Sequence, residues 1–492
     1  MDADLPSTLN LKQVLVMHRH GERVPVRDSA RIHAKGSASH EALWRQCAIA
    51  PFLHALHSVL ALDKDRNQSA AVAESHAFAA KPPLFPPVVG EIEILHGREA
   101  SQHPLFSQST WRQMAVTDGY CSPGQLTDKG KMTMMNLGAS LRAHYTEKLG
   151  FLPHILTSEF MTRNMYIRST GYVRTVESVQ YLLAGLFPFH TRPHGRDGDI
   201  KIHVANTENM YIDMGCRRLV QILKPFRESV KARTQGEVTE LMAKFEHLFP
   251  KNASPEADNG VSSTPGAPAR PLTAEEKRLK QFNLREIDLF YDTFKCMASS
   301  ANDPTLPRGV TTADLDRLGF LFMENFIGGI ADAATQRGDA DLARTVKRLL
   351  IGRFWGDLLG VMEERVGQPL EHPNAMRLGV FSGHDTTIGP LLVSLGVFEG
   401  AMRKWPQFAA NITIEMFEDT GKEQMLSTPT REEKGEGHFV RVKYDGVPMK
   451  LSFCAAKGSH YVGDPSLCTY KAFTSALAAL VPSDYARECC AL

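Results

Sequence analysis

The chain has 492 residues, 43% hydrophobic and 23% charged, a composition that suits one large globular domain with an insertion, or two domains. Its formal net charge of +1 supplies no global field for nucleic acid or an acidic membrane, so any anion site must be local. No stretch approaches the roughly 20 apolar residues that span a bilayer, and no transmembrane segment is expected.

Residues 1–10 hold two Asp and no apolar core, so the sequence as written shows no secretory signal. A cytoplasmic or organellar location is expected on that ground. Residues 11–17 form a short Leu/Val-rich run, as a buried parallel strand does. The irregular stretch 27–119 reads as a long insertion, with some helix over 41–62 and prolines clustered at Pro82, Pro83, Pro86 and Pro87. Residues 126–148 predict a helix capped by Thr127 or Asp128, with Met132, Met135, Leu137 and Leu141 on its apolar side. Another helix fits 172–186. Residues 190–250 turn helical and charged, 251–271 form a Pro/Ala/Ser/Gly linker, and helical periodicity resumes over 273–364. Residues 376–382 predict a second buried strand, followed by a turn and a helix over 387–395. Late strands are expected near 411–417 and 438–444. The chain is therefore α/β at both ends, 1–189 and 371–492, with a mostly helical cap over 190–370.

The first strand runs into Arg19-His20-Gly21-Glu22-Arg23-Val24-Pro25. Ligands of open α/β sheets sit at the carboxyl ends of strands, where this motif falls. Guanidinium forks match phosphate oxygens bidentately, and positive charge on either side of His20 disfavours imidazolium. A neutral, nucleophilic imidazole among phosphate-binding donors is the expected result, with Gly21 letting the backbone approach the ligand. Ser382-Gly383-His384-Asp385-Thr386-Thr387 ends the second buried strand. There His384 can donate to a phosphoryl oxygen and Asp385 can protonate the leaving alkoxide. A third segment holds Arg168 and Arg174, six residues apart. Either could complete a phosphate clamp, and residue physics does not choose between them.

Together, RHGERVP (19–25), GQLTDKG (124–130), YIRSTGYVRT (166–175) and SGHDTT (382–387) resemble the histidine acid phosphatase family of the phosphoglycerate mutase-like superfamily, in that family's order. The resemblance implies a sheet flanked by helices with an inserted helical cap. It implies His20 as nucleophile, Asp385 as proton donor, and Arg19, Arg23, Arg174 and His384 as phosphate ligands, leaving Arg168 structural. Neither a metal nor a cofactor is expected. The implied reaction is in-line attack by His20 on a small-molecule phosphate monoester, then hydrolysis of the phosphohistidine by water. Residues 173–187, 391–398 and 404–418 resemble the lysophosphatidic acid phosphatase type 6 branch, which implies a lysophosphatidic acid or a related small lipid phosphate as substrate.

A phytase-like inositol phosphate phosphatase is the enzymatic alternative, but it would want extra cations around a wide pocket. An inactive phospho-ligand-binding scaffold is disfavoured by intact His20 and Asp385, and a mutase by the His384-Asp385 pair. None of the eight cysteines forms a CxxC pair, so no zinc site is expected. An even count suits disulfides and the missing signal suits thiols, which leaves the redox state open. The resemblance implies pairing of Cys454 with Cys468 and of Cys216 with Cys489 or Cys490, and it leaves Cys296 facing Ala410 where a partner cysteine is usual. Asn67, Asn252 and Asn411 open glycosylation sequons that matter only in a secreted chain. The terminal Cys489-Cys490-Ala491-Leu492 has the form of a prenylation box, for which a structural cysteine is the preferred explanation.

Overall fold

The computed structural model describes residues 6–27, 38–48, 92–95, 119–193, 200–205, 208–248, 284–302, 304–335, 338–369, 372–421 and 435–490. Its strands are β1 (Leu9–Arg19), β2 (Ile92–Leu95), β3 (Met165–Ser169), β4 (Ile202–Ala205), β5 (Leu378–Gly383), β6 (Asn411–Asp419), β7 (His438–Tyr444), β8 (Val447–Pro448), β9 (His460–Tyr461) and β10 (Asp464–Thr469). They form one sheet in the order β2-β4-β3-β5-β1-β6-β7-β10-β9, with β8 on β7. From β2 to β1 the pairs are parallel, and from β1 to β9 antiparallel.

The helices are α1 (Ala38–Trp44), α2 (Asp128–Arg142), α3 (Ser158–Arg163), α4 (Val173–Leu186), α5 (Arg217–Lys244), α6 (Leu284–Ala298), α7 (Thr312–Met323), α8 (Gly329–Ala334), α9 (Ala340–Val366), α10 (Asp385–Ser394), α11 (Tyr470–Ala478) and α12 (Tyr485–Cys490). β1 reads as a continuous apolar run because both of its faces are covered. Val14 and Val16 pack with Val176, Leu182 and Val380 on one side. Leu15 and Met17 pack with Phe381, Leu391 and residues of α5, α6 and α9 on the other. Among the described residues no helix is long and apolar enough to cross a membrane.

Several expectations shift in detail. β2 lies inside the stretch read as an irregular insertion, and β4 inside the expected cap, yet both extend the sheet through the parallel register Ile92↔Ile202. Four residues are too few to show a period. Of the expected helix over 41–62, only 41–44 are helical, as the end of α1; 45–48 are not, and the rest lies outside the described residues, as does the 251–271 linker. The helix over 126–148 is α2 followed by a π-helical turn, Ala143–Lys148. α10 starts two residues early, since His384 N–H donates to Thr387 Oγ1 (3.0 Å) and His384 becomes the cap.

Three disulfides are present: Cys47–Cys121, Cys216–Cys489 and Cys454–Cys468. The first joins Cys47, inside the stretch read as an insertion, to Cys121 just after it, 74 positions apart, and nothing in the spacing announces it. Cys489 is taken up in the second of these disulfides. Cys296 and Cys490 are free.

His18 faces away from solvent on β1, fully buried. Its Nδ1–H donates to Arg19 O (3.0 Å), and Nε2 has no partner among the described residues. Burial pulls its pKa down to about 4 from 6.5. The unfolded chain therefore takes up a proton below pH 6.5 that the folded chain refuses, so stability is full above 6.5 and falls toward pH 4. At about 1.4 kcal/mol per unit this amounts to a loss on the order of 3 kcal/mol. His18→Asn keeps an N–H for Arg19 O and is expected to flatten that part of the slope in urea unfolding at pH 7, 6 and 5. Equal slopes in both proteins would contradict the assignment.

Candidate active site

β3, β5 and β1 are neighbours and end together. Ser169 pairs with Ser382, and Arg19 with Gly383. The chain continues from these ends into Thr170, His384 and His20, so three segments distant in sequence meet at the carboxyl edge of the parallel sheet. His20 N–H donates to Gly383 O (3.1 Å) and Thr170 N–H to Ser382 O (3.0 Å), which locks the loops in register.

The Arg19–Pro25 loop is braced from below by the GQLTDKG stretch. Thr127 N–H and Oγ1–H both donate to Glu22 O (2.9 and 3.1 Å), and Thr127 Oγ1 accepts from Gly130 N–H as the cap of α2. A Cβ on Gly21 would stand 2.5 Å from Gly130 O, and one on Gly130 would stand 2.1 Å from Glu22 O. Gly21 thus permits backbone-to-backbone contact with Gly130, which corrects the expectation that it makes room for a ligand.

His20 is 2% exposed, and its Nδ1 lies 2.8 Å from Gly21 O. A carbonyl only accepts, so Nδ1 carries the proton and Nε2 keeps the lone pair. Burial, then the charges of Arg174, Arg19 and Arg23, hold its pKa well below 6.5. His384 is depressed by burial and the same guanidinia. Its Nε2 lies 3.0 Å from Thr170 Oγ1, and Tyr172 meets its ring edge-on at 4.9 Å.

The arginines differ in what they hold. Arg19 gives one N–H to Asp385 Oδ2 (2.7 Å) and another to Pro406 O (2.6 Å), under the ring of Phe408 at 4.3 Å. Arg23 pairs with Asp292 (2.8 Å) and reaches Cys296 Sγ (3.7 Å), both one turn apart on α6. Burial opposes the charge on Arg23, but Asp292 outweighs it and holds the guanidinium protonated. Burial likewise pushes the Cys296 thiol up. Arg174 stacks over Tyr172 at 4.6 Å, its Nε buried without a partner, and has no carboxylate at ion-pair distance among the described residues. Burial and Arg23 lower its pKa to about 10, so it stays cationic through the neutral and acid range.

A cavity of about 250 Å3 opens here, lined by His20, Arg23, Arg174, His384, Asp385 and Thr386 at its base. Tyr172, Tyr211, Ile212, Met214 and Phe326 form its apolar wall. The N-termini of α4 and α10 both adjoin it, adding backbone dipoles that favour an anion. All six residues expected at the site thus converge, with Arg19 lying behind Asp385 rather than on the cavity wall. Arg168 is elsewhere, paired with Glu208 and Asp357. Among the described residues no three His, Cys, Asp or Glu side chains converge as metal ligands.

Residues 10–445 match the family model for branch 2 of the histidine phosphatase superfamily. The chain belongs to this family. A probable acid phosphatase of Schizosaccharomyces pombe is 23% identical across 99% of this chain and 95% of its own. Lysophosphatidic acid phosphatase type 6 of Homo sapiens is 24% identical across 60% of this chain and 57% of its own. Hafnia alvei phytase in complex with myo-inositol hexakis sulphate shares the fold, with a TM-score of 0.52 at 13% identity over 99% of both chains. The histidine phosphatase described here is accordingly a phosphoric monoester hydrolase.

Sequence reasoning missed Asp292, Thr170 and the apolar wall of this phosphatase. Asp292 sits at an ordinary helical position far from Arg23 in sequence, with no local mark of its role. Thr170 and Tyr172 had a signal, both lying within the motif that holds Arg174.

Proposed function

We propose that the phosphatase transfers phosphate to His20 Nε2, with Asp385 protonating the departing oxygen, and that its preferred ester is a small lipid phosphate such as a monoacyl glycerol phosphate. One observation carries this reading. The cavity lining gathers two guanidinia, Arg23 buried and Arg174 half-buried with no carboxylate at ion-pair distance among the described residues, while Tyr172, Tyr211, Ile212, Met214 and Phe326 make part of the lining apolar and aromatic. A phosphate dianion supplies the missing negative charge, and an acyl chain suits the wall. Phosphoryl transfer is mainly positioning and charge stabilisation, which fixed cations provide.

In the mechanism we infer, Asp385 on the cavity lining gives a proton to the alkoxide as the P–O bond breaks and the N–P bond forms. Asp385, now carboxylate, draws a proton from the water that cleaves the phosphohistidine.

A polyanion such as phytate would leave most of its charge against Tyr172, Tyr211, Ile212, Met214 and Phe326, uncompensated. Three disulfides suit an oxidising compartment, an organelle lumen or the cell exterior, better than the cytosol.

Specificity constants at mildly acid pH test the substrate reading. We expect kcat/KM to rise from glycerol phosphate through butanoyl to decanoyl glycerol phosphate, with phytate below all of them. Phytate in the lead, or no dependence on chain length, would overturn it.

A further inference from the structure

Arg168 is the motif arginine that the phosphate site leaves out. It stands near the end of β3, 7% exposed, and its guanidinium makes four hydrogen bonds. Nε donates to Glu208 Oε2 (3.3 Å), Nη2 to Glu208 Oε1 (2.5 Å) and Asn209 Oδ1 (2.9 Å), and Nη1 to Asp357 Oδ2 (2.7 Å) on α9.

Glu208, 8% exposed, also accepts from the backbone N–H groups of Asn209 (2.7 Å) and Met210 (3.0 Å). Asn209 Nδ2 donates in turn to Asp357 (2.9 Å). Residues 208–210 are therefore folded around one guanidinium. The residues that follow, Tyr211, Ile212 and Met214, are wall residues of the cavity, and the Tyr211 ring stands edge-on to His384 at 6.3 Å. The far end of the segment is held as well. Asp213 accepts from Tyr485 Oη (3.2 Å), and Cys216 is bonded to Cys489.

A buried ion pair of this kind roughly breaks even in stability, because desolvation offsets the attraction; what a bidentate fork secures is geometry. Here it fixes the wall to the strand that continues into Thr170, Tyr172 and Arg174. We propose that Arg168 is a positioning residue for substrate selection: through Glu208 it sets where Tyr211, Ile212 and Met214 stand, and hence how the apolar part of the ester is gripped. The proposal rests on the reading that this wall holds an apolar substituent.

The test compares glycerol phosphate with decanoyl glycerol phosphate in Arg168→Gln. We expect kcat/KM for the decanoyl ester to fall roughly ten-fold, mostly through KM, while both constants for glycerol phosphate stay within about two-fold. Parallel losses on the two esters would mean that the pair merely supports the fold, and would overturn the proposal. Glu208→Gln keeps the acceptor for the two backbone N–H groups while weakening the pair. It provides the same comparison where Arg168→Gln does not accumulate folded. Ile212→Ala and Tyr211→Ala separate the two levels. If they erase the decanoyl preference while the Arg168 and Glu208 variants keep it, the positioning proposal alone fails. If they too leave the preference intact, the wall does not select the substrate and the underlying reading fails with it.

Discussion

His20→Ala is expected to lower kcat on any phosphate monoester by about 10⁴-fold or more, with the fold unchanged. The imidazole feels the charge of Arg174, Arg19 and Arg23, and Gly21 O fixes its tautomer, so the lone pair available at the cavity is on Nε2. Alanine leaves the arginines in place, and phosphate binding should survive the loss of turnover. Burial and the guanidinium charges keep the ring neutral well below pH 6.5, so the acid side of the rate profile should show no loss centred near 6.5. Rapid quench with labelled substrate should trap phosphate on the wild-type enzyme in a bond stable to base and labile to acid, as a phosphoramidate is. Label recovered on a serine, or on Cys296 beside Arg23, would refute the assignment.

Much of this site was legible because its chemistry is packed into short segments that end strands. The apolar run before Arg19 and the one before Ser382 each report a strand covered on both faces, and the motif residues follow directly. The parallel pairing of β1 with β5 then brings the two histidines together. What escaped has no local mark. Asp292 neutralises Arg23 from a helix whose own periodicity concerns packing, and the wall at Tyr211, Ile212 and Met214 lies in an irregular segment whose position is set by Arg168 from another strand. The Cys47–Cys121 pair depends on how two segments 74 positions apart meet, which spacing does not encode. Gly21 was misread for a similar reason. A glycine announces close approach, but only the folded chain says that the approaching group is the backbone of Gly130.

Asp385→Asn should slow hydrolysis of alkyl phosphates by about 10²–10⁴-fold, the usual contribution of a positioned general acid. The substitution is conservative in shape, since an amide oxygen still accepts from Arg19, which now sits 2.7 Å from the carboxylate. What is lost is the transferable proton. An alkoxide departs poorly without one, whereas nitrophenolate departs readily on its own, so the first step on p-nitrophenyl phosphate should be nearly spared. The second step should suffer on both substrates, because the same carboxylate would take the proton from the attacking water. The variant should then release a burst of nitrophenol close to one per active site, followed by slow turnover, with phosphate accumulating on His20. On glycerol phosphate it should show neither burst nor accumulation. Equal losses in the first step for both esters, measured by stopped flow, would remove Asp385 from the role of acid.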